Sequence, residues 1–317
     1  MTPVAALNID SVSTLGSGLT RPESVRCWNG RLYSCDAVGT VAVTTLDGAT
    51  RFLCQPEALP EGVRPNGISI RRDGSIVFAN VGHAGGVWRI DGEGQVRPLI
   101  EEIDGVRLPS TNFAYADRDD RLWICVSSTA ADCHDPEFRF DRHRPSGFVA
   151  MVDQKGQGRI VADGISWTNE CRIDATGRAF YVNETIGRRL LRFDLAGDGT
   201  LSNRTAVTAF GDGSWPDGME IDPSGAIWIT SPISNRVIKV LASGEQVPVL
   251  EDADEKSIEI TEAAYRANDF RRSHFYQVAS KNLRHVTSIT FSLEHELAFL
   301  GSLRNDALYR FSTAGLM

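Results

Sequence analysis

The segment WPDGMEIDPSGAIWIT, Trp215 to Thr230, sets an aspartate, Asp217, ahead of a short apolar alternation. A turn and a second run rich in β-branched and aromatic residues follow. Alternation of period two closed by a turn is the mark of a β-hairpin. The same rhythm recurs in ESVRCWNGRLYSCD, NGISIRRDGSIVFAN, NFAYADRDDRLWICV, NECRIDATGRAFYVN and SITFSLEHELAFLGS, with further strand-like runs between them. Each of these phrases opens a unit of about four strands, which predicts an all-β chain folded as a six-bladed β-propeller. A β-sandwich would also give short strands and frequent turns, but not a polar residue in register at the start of each hairpin. The whole chain, 1–317, is expected to form one propeller domain, with a helical insertion at about 251–286 in the region of the last blade.

The residue in the slot at each hairpin's start is polar every time: Glu23, Asn66, Asn112, Asn169, Asp217 and Ser288. In a propeller the first strand of each blade lines the central channel, so these positions should form a ring around one point on the axis. Buried carboxylates and amides without partners cost several kcal/mol each, so such a ring calls for a compensating guest. Oxygen donors without cysteine or histidine describe a site for a hard cation. Calcium fits best, magnesium or manganese could substitute, and zinc, a further alternative, would prefer nitrogen or sulfur. The charges of Glu23 and Asp217 balance one divalent ion. The competing reading is that an Asp or Asn before a strand bonds its own backbone. That reading is kept for Asp73, Asp174 and Asp222, at the opposite end of the hairpins.

Composition narrows the function classes. A net charge of -8, with acidic residues spread along the chain, argues against nucleic-acid binding. No segment reaches the roughly 18 apolar residues of a membrane span, and the opening MTPVAALNIDSVSTLGSG has neither a basic start nor an apolar core typical of a signal peptide. A cytoplasmic protein acting on a small molecule is expected. The six cysteines show no CxxC pair and are expected to be reduced and mostly buried.

The pieces RPESV, RPNGISI, STNFAYADRDDRLW, TNECRIDATGRAFYVNET, RFDLAGDGTLSNR, WPDGMEIDPSGAIW and AFLGSLRNDALYRF span nearly the whole chain. Together they resemble the senescence marker protein, gluconolactonase and luciferin-regenerating enzyme family of six-bladed propellers. The resemblance implies a divalent ion, usually calcium, held by Glu23, Asn169 and Asp217, with Asn112 close by. It implies hydrolysis of a cyclic ester such as a sugar lactone, and it makes Asp217, in the family's PDG motif, the catalytic carboxylate. Two departures bear on the substrate: Glu170 stands where the family has a glycine after the metal-binding asparagine, and the usual EGPxW start reads PESVRCW.

As an enzyme, the chain would be a metal-dependent lactonase in which the ion polarises the carbonyl and Asp217 serves as base or nucleophile. Asn66, Glu170 and Ser288 are expected to face the substrate, Glu170 as a second candidate base, although the simpler reading of Glu170 is a charged residue in a solvated loop or a partner for an arginine. The alternatives are a propeller that binds a ligand or protein without catalysis, or another metal-dependent reaction on the same scaffold. Six histidines are scattered without metal-ligand spacing. Two of them, His134 and His143, sit in the long aromatic loop DCHDPEFRFDRHRPSG, a candidate wall of the pocket. The spacing of apolar residues predicts one helix over Ile260 to Val278, acting as a lid or a packing extension.

Overall fold

Hairpins of alternating residues build six four-stranded antiparallel sheets in the structure, a computed structural model describing residues 6–54, 59–91, 93–130, 133, 135–277 and 279–317. Blade one holds Val25–Trp28, Arg31–Asp36, Thr40–Thr45 and Thr50–Phe52 in sequence order, and blades two to five repeat the plan. Blade six is completed differently: Val286–Ser292, Leu297–Ser302 and Leu308–Ser312 take Ser13–Leu15, from the start of the chain, as their outermost strand. The innermost strands of successive blades touch in a closed circle, blade six meeting blade one. This is the six-bladed propeller predicted from the repeats.

The repeat folds as it does because its turns are self-satisfying. Asp222 accepts the backbone N–H groups of Ser224 and Ala226 and the indole N–H of Trp228, and Asp117 does the same for Asp119, Arg121 and Trp123. Asp73 and Asp174 likewise bond their own turns. The core lies between blades, where apolar faces meet: Val77 and Ala79 of blade two pack with Ile124 and Val126 of blade three. Trp123 and Cys125 pack against Phe180 and Val182 of blade four. All six cysteines are free thiols and five of them are buried.

The insertion corrects the sequence expectation. Its α-helix, α1, runs Glu255–Arg266, starting earlier and stopping sooner than Ile260 to Val278, and a separate 3-10 turn covers Arg272–Tyr276. Asp254 starts α1 by capping the Ser257 N–H at 2.7 Å, so the charged DEKSIE stretch is its first turn. Just past the end of α1, Asn268 takes a left-handed backbone (φ 55°), which stops further helix. Val278 lies outside the described residues. No helix among the described residues is long and apolar enough to cross a membrane.

Candidate functional site

At one end of the channel, five of the six slot residues line a cavity of about 50 Å³: Glu23, Asn66, Asn112, Asn169 and Asp217. A water needs roughly 10–15 Å³ measured this way, so there is room for an ion and a few ligand atoms. The local backbone is shaped for this convergence. Register shifts interrupt the innermost strands of blades two and four where Asn66 and Asn169 sit, and bulges of this kind re-aim side chains. Gly218, next to Asp217, lets the neighbouring blade close in: a Cβ there would stand 2.2 Å from the Thr287 carbonyl oxygen. In blade one, Arg21 adopts a left-handed backbone (φ 55°) and its carbonyl accepts the Glu23 N–H at 2.7 Å, a tight turn that puts both side chains on the cavity.

The hydrogen bonds leave a specific set of oxygens unused. Asn66 donates to Glu23 Oε1 at 3.1 Å and to the Asn112 carbonyl at 2.8 Å, while its own oxygen accepts from Arg21 at 2.7 Å. Thr185 accepts the Asn169 amide N–H at 3.1 Å. What remains without a partner is Glu23 Oε2, Asn112 Oδ1 and Asn169 Oδ1, all buried. Each such oxygen costs about 1–3 kcal/mol if nothing meets it. Burial raises the Glu23 carboxyl to about 7, against the nearby Arg21, and pushes Asp217 well above the carboxylate range, with the adjacent Glu23 charge adding to the rise. Two carboxylates that resist ionisation, beside unpaired amide oxygens, are matched by a hard divalent cation. Among the described residues no group of three or more His, Cys, Asp or Glu side chains is placed to hold a metal ion. The donor set therefore depends on the amides, a composition that suits calcium and disfavours zinc.

Two expected residues are placed elsewhere. Ser288 lies where blade six shifts register between Val286 and Ser288, and its hydroxyl accepts the Val25 N–H at 3.1 Å, stitching blade six to blade one instead of lining the cavity. Glu170 also faces away from it. Its carboxylate takes Arg172 at 2.8 Å and the Met219 N–H at 3.2 Å, with Arg26 at 3.7 Å, because a buried acid beside two arginines lowers its energy by pairing. Glu220 meets both arginines as well, and both stack near the Phe113 ring, so this network fills the channel beneath the cavity.

The cavity walls come from residues that the repeats do not announce: Arg21, Phe140, Trp167, Arg272, Phe275 and Tyr276. Phe140 belongs to the long loop singled out in the sequence and meets Trp167 edge to face at 4.8 Å. His143 of that loop is exposed, and His134 lies outside the described residues. A second cavity of about 200 Å³ shares Phe140 and Trp167 with the first.

Comparison with known proteins gives the family and agrees with the fold. The model of the SMP-30/Gluconolactonase/LRE-like region matches residues 22–258. Among solved structures, a gluconolactonase from Xanthomonas campestris is similar over 98% of this chain and 95% of its own, at 19% identity and a TM-score of 0.71. A luciferin-regenerating enzyme matches over 96% and 95% of the two chains at 16% identity and a TM-score of 0.69. The calcium-binding protein regucalcin from Agrobacterium tumefaciens matches over 98% and 90% at 15% identity, with a TM-score of 0.62. At these identities the structural likenesses establish the fold.

Proposed function

Because the chain belongs to the SMP-30/gluconolactonase/LRE-like family, we propose that it is a metal-dependent hydrolase that opens a lactone at the cavity of Glu23 and Asp217. The observation that carries this reading is the meeting of three partnerless buried oxygens, on Glu23, Asn112 and Asn169, with the Asp217 carboxylate around one small space. Calcium, or another hard divalent cation held by Glu23, Asn169 and Asp217 with Asn112 beside them, would supply Lewis-acid polarisation of the ester carbonyl.

The chain's own residues do the rest. Asp217, placed on the cavity, is suited to taking a proton from the attacking water or to attacking the carbonyl carbon itself. Its main chain is fixed, with its N–H on the Thr230 carbonyl at 2.9 Å and its carbonyl accepting from Asn183 at 2.8 Å. Phe140, Trp167 and Phe275 wall the space and limit access of bulk water.

The Asp217→Asn variant is expected to keep its circular dichroism spectrum while losing about 10²- to 10⁴-fold in lactone-opening rate, followed by acid release. Full activity in that variant would remove Asp217 from the chemistry. Label found in Asp217 after a single turnover in oxygen-18 water would identify it as the nucleophile, since a general base takes up none. Activity of the native protein should vanish with a chelator and return with calcium.

A further inference from the structure

Most buried or half-buried arginines of this protein are paired: Arg26 and Arg172 with Glu170 and Glu220, Arg188 with Glu262, and Arg121 with Asp117. Three at the functional cavity are not. Arg21 and Arg272 line it, and Arg64, an exposed residue, is held beside it by its carbonyl, which accepts the N–H of the cavity-lining Val81 at 3.0 Å. Among the described residues none of the three forms an ion pair. Their contacts are neutral: Arg21 reaches the Asn66 amide oxygen at 2.7 Å and the Pro65 carbonyl at 3.4 Å, and Arg272 reaches the Cys133 carbonyl at 3.4 Å and lies over Trp167.

The plain reading is that these arginines offset Glu23 and Asp217. A divalent cation bound there would do so, because its two charges would match the two carboxylates and leave Arg21 and Arg272 on the cavity, with Arg64 beside it, unneeded for that purpose. Like charges brought together without an acid are unfavourable at close range, and a neutral ligand would leave them so. Their mutual field is visible on their neighbours. Partial desolvation, then Arg21 and Arg272, push the Arg64 guanidinium down, and although burial pushes the Tyr276 phenol up, Arg272, Arg21 and Arg64 outweigh it and bring it below its ordinary range.

We propose that Arg21, Arg64 and Arg272 form an anion subsite beside the cation site, so that the substrate carries a carboxylate or phosphate group in addition to its ring ester. The planar forks of arginine suit either anion, in two-point contact. The substrate class rests on the hydrolase reading above, whereas the subsite rests on the arginines themselves.

The test uses calcium-supplemented protein and matched pairs: D-glucono-1,4-lactone against D-glucaro-1,4-lactone, which adds a carboxylate, and D-glucono-1,5-lactone against its 6-phosphate. Acid release gives kcat/KM. Calorimetry in parallel measures binding of the ring-opened D-gluconate, D-glucarate and 6-phospho-D-gluconate. The charged member of a pair is expected to be preferred about tenfold or more, mainly through KM, with a preference that shrinks as salt rises. The better of the two anions identifies the group recognised. Arg64→Gln and Arg272→Gln should each move the charged-to-neutral ratio towards one; the first changes an exposed side chain, so the fold is not at stake. Opening of neutral and charged lactones with equal efficiency would overturn the subsite and leave the hydrolase standing. Failure to open any of the four lactones, with arginine-dependent preference for the acids that carry a second anionic group intact, would uphold the subsite and sink the hydrolase.

Discussion

Asn169 offers its oxygen to the cavity because Thr185 occupies its nitrogen, and Thr185 is itself anchored by donating to the Pro216 carbonyl at 2.7 Å. Replacing Thr185 by valine removes that anchor, so calorimetric calcium affinity should fall about 10- to 100-fold while the fold loses only about 1 kcal/mol. His285 makes a second point at this scale. It is buried, its backbone is left-handed (φ 59°), and desolvation, reinforced by the Arg304 charge, lowers its imidazole to about 4. The unfolded chain binds that proton at its ordinary pKa of about 6.5, so the stabilisation is complete above that pH and is lost as pH falls towards 4. Full protonation would cost about 3 kcal/mol. His285→Asn, which tolerates the left-handed backbone, should therefore show a shallower fall in urea-unfolding free energy between pH 6.5 and 4 than the native protein. The slot residues were legible in the sequence because each begins a recurring hairpin. Arg272 was not, since it comes from a connection that repeats nowhere; Arg21 stands in an Arg-Pro pair that recurs as Arg64-Pro65 before the next slot, a signal the strand alternation does not carry; and Ser288 misled because a register shift turns its hydroxyl towards blade one.

Among the elements, α1 is tied to the site by one arginine. Arg188 sits 3.9 Å from the Trp215 ring centroid and 4.0 Å from that of Tyr265, and both of its terminal nitrogens bond Glu262. Glu262 also accepts the Gly213 N–H at 2.7 Å, so the helix holds the segment that leads through Trp215 to Asp217. Truncating Glu262 to alanine would strand Arg188 between two aromatic rings, and we expect a loss of about 3–5 kcal/mol in denaturant unfolding. Helical periodicity located the insertion but misjudged its limits. Apolar spacing says nothing of a cap such as Asp254, and the aromatic residues beyond Asn268 pack as a 3-10 turn near Phe140 because Phe270 and Phe275 fill that space.

At the scale of the whole molecule, blade number and order were readable because every blade buries its faces against two neighbours and so must repeat the same alternation. The strand borrowed by blade six from the start of the chain was not readable, since STL is too short to carry a pattern. A cation bound where Glu23, Asn112, Asn169 and Asp217 meet would hold blades one, three, four and five to one point. At a calcium concentration 100 times its Kd, unfolding should become harder by about 2.7 kcal/mol, measurable as a rise in thermal midpoint over chelated protein. The network of Glu170, Arg172, Arg26 and Glu220 lies across the axis below this point. The pocket at the far mouth, lined by Tyr115, Arg172 and Glu220, shares no residue with the cavity of Asp217. Among the described residues the two hollows are thus separate, with the arginine and glutamate network between them. Under the hydrolysis proposed above, the acid made in the upper cavity would not leave through the lower pocket, and while it lingered the next guest would wait outside.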